Sequence, residues 1–388
     1  MTKLTDNNLN PILTEDEICG IREGVNGVKH GIPSRFYYDE AIYRDEVECV
    51  LKKNWLCVGR WDQVEKPGDY FTIRMWGESI IIVRDKKSQL HALINVCQHR
   101  WSQVVEDGSG NANLFMCPYH RWTYGLDGKL RGVSVQNIPG FDKKKCGMPT
   151  LRIEEWHGFI FVSFNQNVDP LAPQLKAVSH YLEKFQVGKF REKGSYRYQT
   201  RWNWKFSLET SYEGYHHVGL HHDRIHHIVP AGNTQPMDFG QACGSYLMWP
   251  VDDVPADYQN PFGTAPVEFG GEWDGKDRFI VIYPGLMMYL NNYQCTYLYV
   301  AHESVHSNSA STCQAFAPWA IESADSDGVI AEIVQDTKEV QAEDTFGCTM
   351  LQKGVTSTTN RNCVIHPLES QLNHFHNWYI DQFLKTEP

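Results

Sequence analysis

No stretch of the 388-residue sequence approaches the roughly 18–20 uncharged apolar residues that a membrane helix needs, so no membrane-spanning segment is expected. Basic side chains are in the minority, 36 Lys and Arg against 47 Asp and Glu, and the resulting net charge of −11 argues against nucleic acid as the main partner. The opening residues, Met1-Thr2-Lys3-Leu4-Thr5-Asp6-Asn7-Asn8, have no apolar run behind their charge, so no signal peptide is expected and a cytoplasmic protein is. No G-x-G-x-x-G opens a βαβ unit, which removes direct nicotinamide binding. Internal repeats and low-complexity segments are missing too. The 11 cysteines are odd in number and scattered, a poor disulfide framework in a chain long enough to fold on its core alone. What remains is a globular composition, 41% hydrophobic and 13% aromatic, with nearly half of the 17 histidines in two short neighbourhoods. That crowding points to metal.

The pattern divides the chain into three. Residues 1–45 are polar, broken at Asn10-Pro11 and Ile32-Pro33, and read as an N-terminal arm with short helices, packed on the catalytic part. Residues 46–166 read as a small antiparallel β-domain, with strand signals at Asp69–Trp76, Ile80–Val83 and Gly158–Phe164 and turn chemistry at Lys66-Pro67-Gly68-Asp69, Asp107-Gly108 and Asp127-Gly128. Residues 167–388 read as a larger α+β domain. It is expected to have helices over 174–190, 326–353 and 367–385 and a strand passing into helix over 196–215. Strands are expected over 278–302 and 310–320, with a long irregular loop over 230–276 that includes Gln235-Pro236 and Asn260-Pro261.

In the β-domain stand Cys97-Gln98-His99 and Cys117-Pro118-Tyr119-His120. Each places a thiolate and an imidazole on one tight turn, and two such turns at hairpin tips can converge on one centre. Zinc is one reading, though zinc sites usually keep cysteines with cysteines and histidines with histidines. One thiolate and one imidazole per turn suits a [2Fe–2S] cluster in which one iron takes two thiolates and the other two imidazoles, with a raised reduction potential. The surrounding text, Asn95-Val96-Cys97-Gln98-His99-Arg100 and Cys117-Pro118-Tyr119-His120-Arg121-Trp122-Thr123-Tyr124-Gly125-Leu126-Asp127-Gly128, resembles the Rieske domain of ring-hydroxylating oxygenase large subunits. The resemblance implies that Cys97, His99, Cys117 and His120 hold the cluster, and that a mononuclear iron motif lies downstream.

Glu213-Gly214-Tyr215-His216-His217-Val218-Gly219-Leu220-His221-His222 is similar to that motif and maps the iron ligands onto His216 and His221. Residues five apart sit about 140° apart on a regular helix, so these two can meet only where the helix ends or distorts, and Gly219 stands where the break is needed. Rival pairs exist, His217/His222 and the helically spaced His222/His226. The acidic Glu213 and Tyr215 fit only the His216/His221 register. The family's third ligand is a carboxylate on a late helix. Val340-Gln341-Ala342-Glu343-Asp344-Thr345-Phe346-Gly347 is similar to that helix and makes Asp344 the first choice, with Asp336 and Glu343 as runners-up. Two histidines and one carboxylate leave three open positions on Fe(II) for O2 and substrate.

The resemblance covers nearly the whole chain. It implies a terminal oxygenase that draws electrons from NADH or NADPH through a separate reductase or ferredoxin. Within a head-to-tail homotrimer, electrons would pass from His120 of one subunit through Glu213 of the next. Most of the family carries Asp where this chain has Glu213. Glutamate occurs in members that oxidise quaternary ammonium compounds, so two substrate expectations stand. An aromatic compound to be hydroxylated by mono- or dioxygenation, or demethylated, comes first. A carnitine-, betaine- or choline-like compound held in an aromatic cage is the alternative, with Tyr283, Tyr289, Tyr293 and Trp249 available for the cage. Outside that class remain a non-catalytic Rieske electron carrier and a zinc-stabilised binding module.

Overall fold

The computed structural model describes residues 12–134, 139–252, 261–272, 274–359 and 362–385. The first eleven residues of the expected arm, with its Asn10-Pro11 break, and Asn260 of the later turn lie outside them. The class is the α+β expected, built on antiparallel sheets.

Among the described residues the N-terminal β-segment supplies ten strands: β1 (Leu56–Arg60), β2 (Asp69–Met75), β3 (Glu78–Arg84), β4 (Leu90–Ile94), β5 (Ser109–Asn111), β6 (Phe115–Met116), β7 (Thr123–Tyr124), β8 (Leu130–Gly132), β9 (Thr150–Trp156) and β10 (Phe159–Ser163). Seven form one sheet in the order β1-β10-β9-β4-β3-β2-β5, and β6-β7-β8 form a small second one. Between them Ile81, Val83, Leu93, Phe115, Tyr124 and Leu130 bury a compact core that also takes in Cys97 and Cys117. The turns carrying the cysteines are thus seated on their own apolar floor.

The second seven-stranded sheet runs β11-β17-β16-β15-β14-β13-β12, from β11 (Arg191–Thr200), β12 (Thr234–Asp238), β13 (Cys243–Met248), β14 (Asp277–Ile282), β15 (Leu286–Leu290), β16 (Gln294–Ser304) and β17 (Ser307–Phe316). Strands β12 to β17 follow one another as an antiparallel meander. The exception is the connection between β11 and β12, which leaves one edge of the sheet and rejoins it at the other. Both candidate iron histidines lie in that connection.

Three expectations need amending. β12 and β13 fall inside the stretch read as irregular, because Pro236 and the flanking glycines and aspartates mask a period-2 pattern. Pro236 is tolerated on β12 because β12 is an edge strand. The strand expected to reach residue 320 ends at Phe316, and a short helix, Pro318–Ile321, opens with proline at its first position. The helix expected over 174–190 is shorter, Lys176–Glu183. The late helices match closely, at Ser326–Val355 and Ser370–Leu384. The longer of them crosses the β11 edge at Gly194, where an added Cβ would lie 2.6 Å from Val334. A residue without a side chain lets helix and sheet approach.

One buried ion pair ties three separate segments together. Lys205, in the helix Trp204–Thr210, places its Nζ 2.7 Å from Glu46 Oε1, and both side chains are 0% exposed. Trp204 Nε1 donates to the same oxygen at 3.0 Å, and the ammonium lies over the rings of Tyr37 and of Tyr379 in the C-terminal helix. Burial pushes the Glu46 pKa up and the Lys205 pKa down, so desolvation opposes the pair even as contact holds it. Lys205→Met leaves the carboxylate stranded and is expected to cost about 3–5 kcal/mol in urea unfolding, while adding Glu46→Leu restores most of the loss. Unchanged unfolding of the single variant would refute this role for the pair.

Candidate metal centres

The first centre is built from two loops of the same shape. In one, Cys97 N donates to Ser102 O at 2.8 Å and Trp101 N to Cys97 O at 3.0 Å. In the other, Cys117 N donates to Trp122 O at 2.8 Å and Arg121 N to Cys117 O at 2.9 Å. The fifth residue of each loop, Trp101 and Arg121, is left-handed with φ of +60°. The backbone reverses within five residues and throws the histidine of each loop to the outside. His99 Nδ1 and His120 Nδ1 face one another at 3.1 Å, while both thiols are buried and free of disulfides.

Burial raises the Cys97 pKa, helped by its contact with Cys117. At Cys117 burial is outweighed by the amides of Tyr119 and His120, which hold its pKa down. Tyr124 Oη lies 3.3 Å from Cys97 Sγ. Two buried sulfurs and two facing ring nitrogens, edged by N–H and O–H donors, fit a [2Fe–2S] cluster with one thiolate-held and one imidazole-held iron. Around the rim Trp101 is 82% exposed, and Tyr119 packs on His120.

The second centre forms where the helix Trp204–Thr210 stops. A 3-10 turn, Tyr215–Val218, and a π turn, His222–His226, flank the break between His216 and His221. The break lies where expected, but Gly219 is there in an ordinary right-handed conformation with φ of −108°, so its special freedom is not what causes it. Glu213 shapes the start of the turn instead. Its carboxylate accepts from the amides of Tyr215 and His216, caps the turn, and takes His216 Nδ1 at 2.7 Å.

His216 Nε2 and His221 Nε2 then lie 3.7 and 3.0 Å from Asp344 Oδ1, with the two rings 5.0 Å apart. The structure brings these three together. Glu343, a runner-up from the sequence, turns out to receive the other nitrogen of His221, Nδ1, at 2.6 Å. Each histidine therefore has one nitrogen fixed by a carboxylate and the other turned toward Asp344, the arrangement that orients imidazoles toward a metal. Asp336, the other runner-up, is occupied by Arg224 at 3.0 Å. Of the rival histidines, His222 and His226 stack on one another at the surface, 6.0 Å apart.

His217 is buried beside the pair. Among the described residues His216, His217 and His221 bring ligand-type atoms within 4.8 Å of one another. Burial and the two neighbouring imidazoles push the His217 pKa down to about 2, and its Nδ1 has no partner. At His216 burial is outweighed by Glu213 and Asp344, which raise its pKa. Two neutral-capable imidazoles and one carboxylate fit a mononuclear Fe(II) with open positions.

Gly347 lies one helical turn beyond Asp344, and an added Cβ there would meet Leu220 at 2.4 Å. This close approach seats the long helix on the histidine loop. The sequence offered no sign of it beyond a glycine inside a helix. Among the described residues no hydrogen bond or ion pair joins His120 to Glu213 within one chain.

The triad opens into a cavity of about 500 Å³ between the meander and the long helix. Tyr246, Phe279, Met287, Met288, Tyr289 and Tyr293 form much of its wall. Of the four aromatics suggested for a cage, Tyr289 and Tyr293 reach it. Tyr283 instead bonds His374 at 3.0 Å, and Trp249 lies under Lys276, each standing just past the end of its strand. A second cavity, about 780 Å³, is lined by the buried Glu213 and by Tyr215.

Comparison with known proteins agrees with this geometry. The Rieske [2Fe-2S] domain family matches residues 54–142, and the ring hydroxylating alpha subunit catalytic domain family matches residues 187–385. The carnitine monooxygenase oxygenase subunit of Acinetobacter pittii is 34% identical over 265 residues, 65% of this chain and 68% of that one. The glycine betaine monooxygenase oxygenase subunit of Pseudomonas aeruginosa is 26% identical over 231 residues, 58% of this chain and 53% of that one. The crystal structure of the quaternary ammonium Rieske monooxygenase CntA with an inhibitor superposes with a TM-score of 0.79 at 22% identity, covering 96% of this chain and 98% of that one.

Glu343 makes a contact that can be tested alone. Glu343→Gln keeps the size of the side chain and removes the charge that orients His221. Fe(II) affinity is expected to fall roughly 10–100-fold, with the cluster absorption unchanged. Wild-type affinity in that variant would exclude the orienting role.

Proposed function

The chain belongs to the ring hydroxylating alpha subunit family and is a Rieske non-haem iron oxygenase, and we propose that it hydroxylates a quaternary ammonium compound. The observation that carries this reading is the wall of the 500 Å³ cavity. It is made of aromatic faces and methionine thioethers, and among its described residues Arg224 is the only arginine or lysine. Arg224 itself is held by Asp336, Glu339 and Glu343. Such a wall suits a cation stripped of hydrogen-bonding protons, which is recognised by ring faces and polarisable sulfur. The carnitine and glycine betaine relatives, and glutamate rather than aspartate at position 213, support the same choice over an aromatic substrate.

In this reading Cys97, His99, Cys117 and His120 hold the [2Fe–2S] cluster, and His216, His221 and Asp344 hold the mononuclear iron. Those groups supply one-electron transfer and O2 activation. A C–H bond, O2, two electrons and two protons give a hydroxyl group and water. Where the hydroxylated carbon carries the ammonium nitrogen, the C–N bond then breaks to an amine and an aldehyde.

The chain's own residues set the conditions. Glu213 and Glu343 bond the Nδ1 atoms of His216 and His221, which leaves each Nε2 facing Asp344. The aromatic wall excludes water from the substrate's carbon skeleton. The family works with a reductase, whose electrons would reach the cluster held by Cys97, His99, Cys117 and His120.

We divide the chain at 45 and 166 into arm, Rieske domain and catalytic domain, and assemble it as a cyclic homotrimer. Among the described residues no hydrogen bond or ion pair joins His120 to Glu213 within one chain, which supports this arrangement. So do the exposed Trp101 and Tyr119 around the cluster rim and the place of Glu213 on the wall of the 780 Å³ cavity.

The test is substrate-dependent O2 uptake by anaerobically purified enzyme with a reductase and NADH. γ-Butyrobetaine, carnitine, glycine betaine and choline are compared with naphthalene and indole. Uptake coupled to an oxidised product from at least one ammonium compound is expected. Coupled turnover of the aromatics alone would overturn the substrate, and no coupled turnover alongside two irons per two sulfides would leave an electron carrier.

A further inference from the structure

We propose that Asp277 is the counter-ion of the substrate's ammonium group, an inference that rests on the quaternary ammonium reading above. Asp277 begins β14 and is 4% exposed, yet it lines the cavity of the iron triad. Strand alternation separates it from its neighbour. Arg278 points to the opposite face, where it bonds Tyr181 Oη at 2.9 Å, pairs with Asp274 and lies over the Phe185 ring. Among the described residues no ion pair reaches Asp277 within 4 Å. A buried carboxylate facing an apolar cavity with no cation opposite it is costly, and the other carboxylates on the same wall are accounted for. Asp336 is held by Arg224, and Asp344 belongs to the iron triad.

The surroundings of Asp277 are those of a cation site. Tyr289 donates its hydroxyl to Asp277 Oδ1 at 3.0 Å, and Asn291 donates in turn to Tyr289 Oη at 3.3 Å. A phenol whose proton is drawn toward a carboxylate has a more electron-rich ring, which strengthens its attraction for a cation over the face. Phe279 stands two residues along the same strand, stacked at 4.6 Å on Tyr246 and edge-on at 5.4 Å to Tyr289. The carboxylate thus ends a row of three rings. Burial pushes the Asp277 pKa up to about 6 against the pull of Tyr289 and Arg278, so the carboxylate is poised to gain from an incoming positive charge. A purely structural role would need only an acceptor for Tyr289, which an amide oxygen supplies equally well.

That difference defines the experiment. Binding to the holoenzyme is measured anaerobically by calorimetry for γ-butyrobetaine and for 5,5-dimethylhexanoate, its uncharged-headgroup isostere with carbon in place of nitrogen. Wild-type enzyme is expected to prefer the ammonium compound by at least roughly tenfold. Asp277→Asn is expected to bring the two affinities within about twofold by weakening the ammonium compound alone, and Asp277→Glu to keep most of the preference. Should the Asn variant lose its iron or its cluster absorption, Asp277→Ser repeats the comparison. A preference that survives loss of the charge overturns the assignment of Asp277 and leaves the substrate class standing. Wild-type enzyme that binds both compounds alike overturns the substrate class, and the counter-ion with it.

Discussion

The catalytic half of the molecule is organised around one carboxylate oxygen. Asp344 Oδ1 lies 3.0 Å from His221 Nε2 and 3.7 Å from His216 Nε2, and each of these atoms comes from an element that cannot reach the others by itself. The histidines ride on the connection between the two edges of the meander sheet, and the aspartate on a thirty-residue helix laid across it. The small residues fit this demand. Gly194 lets the helix approach β11 and Gly347 lets it settle on Leu220, so the two contacts lie on either side of the carboxylate. Glu213 and Glu343 are the other half of the same design, since each spends a charge to fix the outer nitrogen of a histidine.

The support beneath this centre is polar as well as apolar. Lys205 and Glu46 join the helix leading into the histidine motif to the helix Glu40–Glu46, under a roof formed by Tyr379 of the last helix. Glu209, one turn further along, accepts from Tyr37 at 2.6 Å and lies 2.9 Å from His376 Nε2. The arm segment around Tyr37 and the last helix therefore meet behind the histidine motif. The N-terminal sheet reaches the same region through Trp76, whose amide donates to His302 O at 2.8 Å and whose ring stacks on the His302 imidazole. Electron-delivering and oxygen-using halves share one continuous apolar core.

Much of this was legible in the sequence because the chemistry is local. Two five-residue loops contain all four proposed cluster donors, and nine residues contain Glu213, His216 and His221, so spacing pointed to metal while the family resemblance chose the His216/His221 register over its rivals. The third ligand was legible only through resemblance, and even then Glu343 and Asp344 could not be told apart in role. Adjacent residues on a helix differ by about 100° in direction, and only the packed helix decides which nitrogen of His221 each one meets. Strands β12 and β13 were illegible because glycine, proline and aspartate signal loops whether or not a neighbouring strand recruits them. Asp277 was hidden for the same reason. After Asp274-Gly275-Lys276 it looks like one more turn residue, and its burial arises from strands paired on both sides.

The route of the β11–β12 connection also bears on how the protein matures. A meander can assemble hairpin by hairpin through contacts close in sequence, whereas a segment bridging opposite edges waits until both edges exist. The histidine loop is such a segment, and the carboxylate it must meet is a further 123 residues along the chain. Iron capture is consequently expected late in folding, and a metal bound there would tie together segments 123 residues apart after the sheet beneath them is in place.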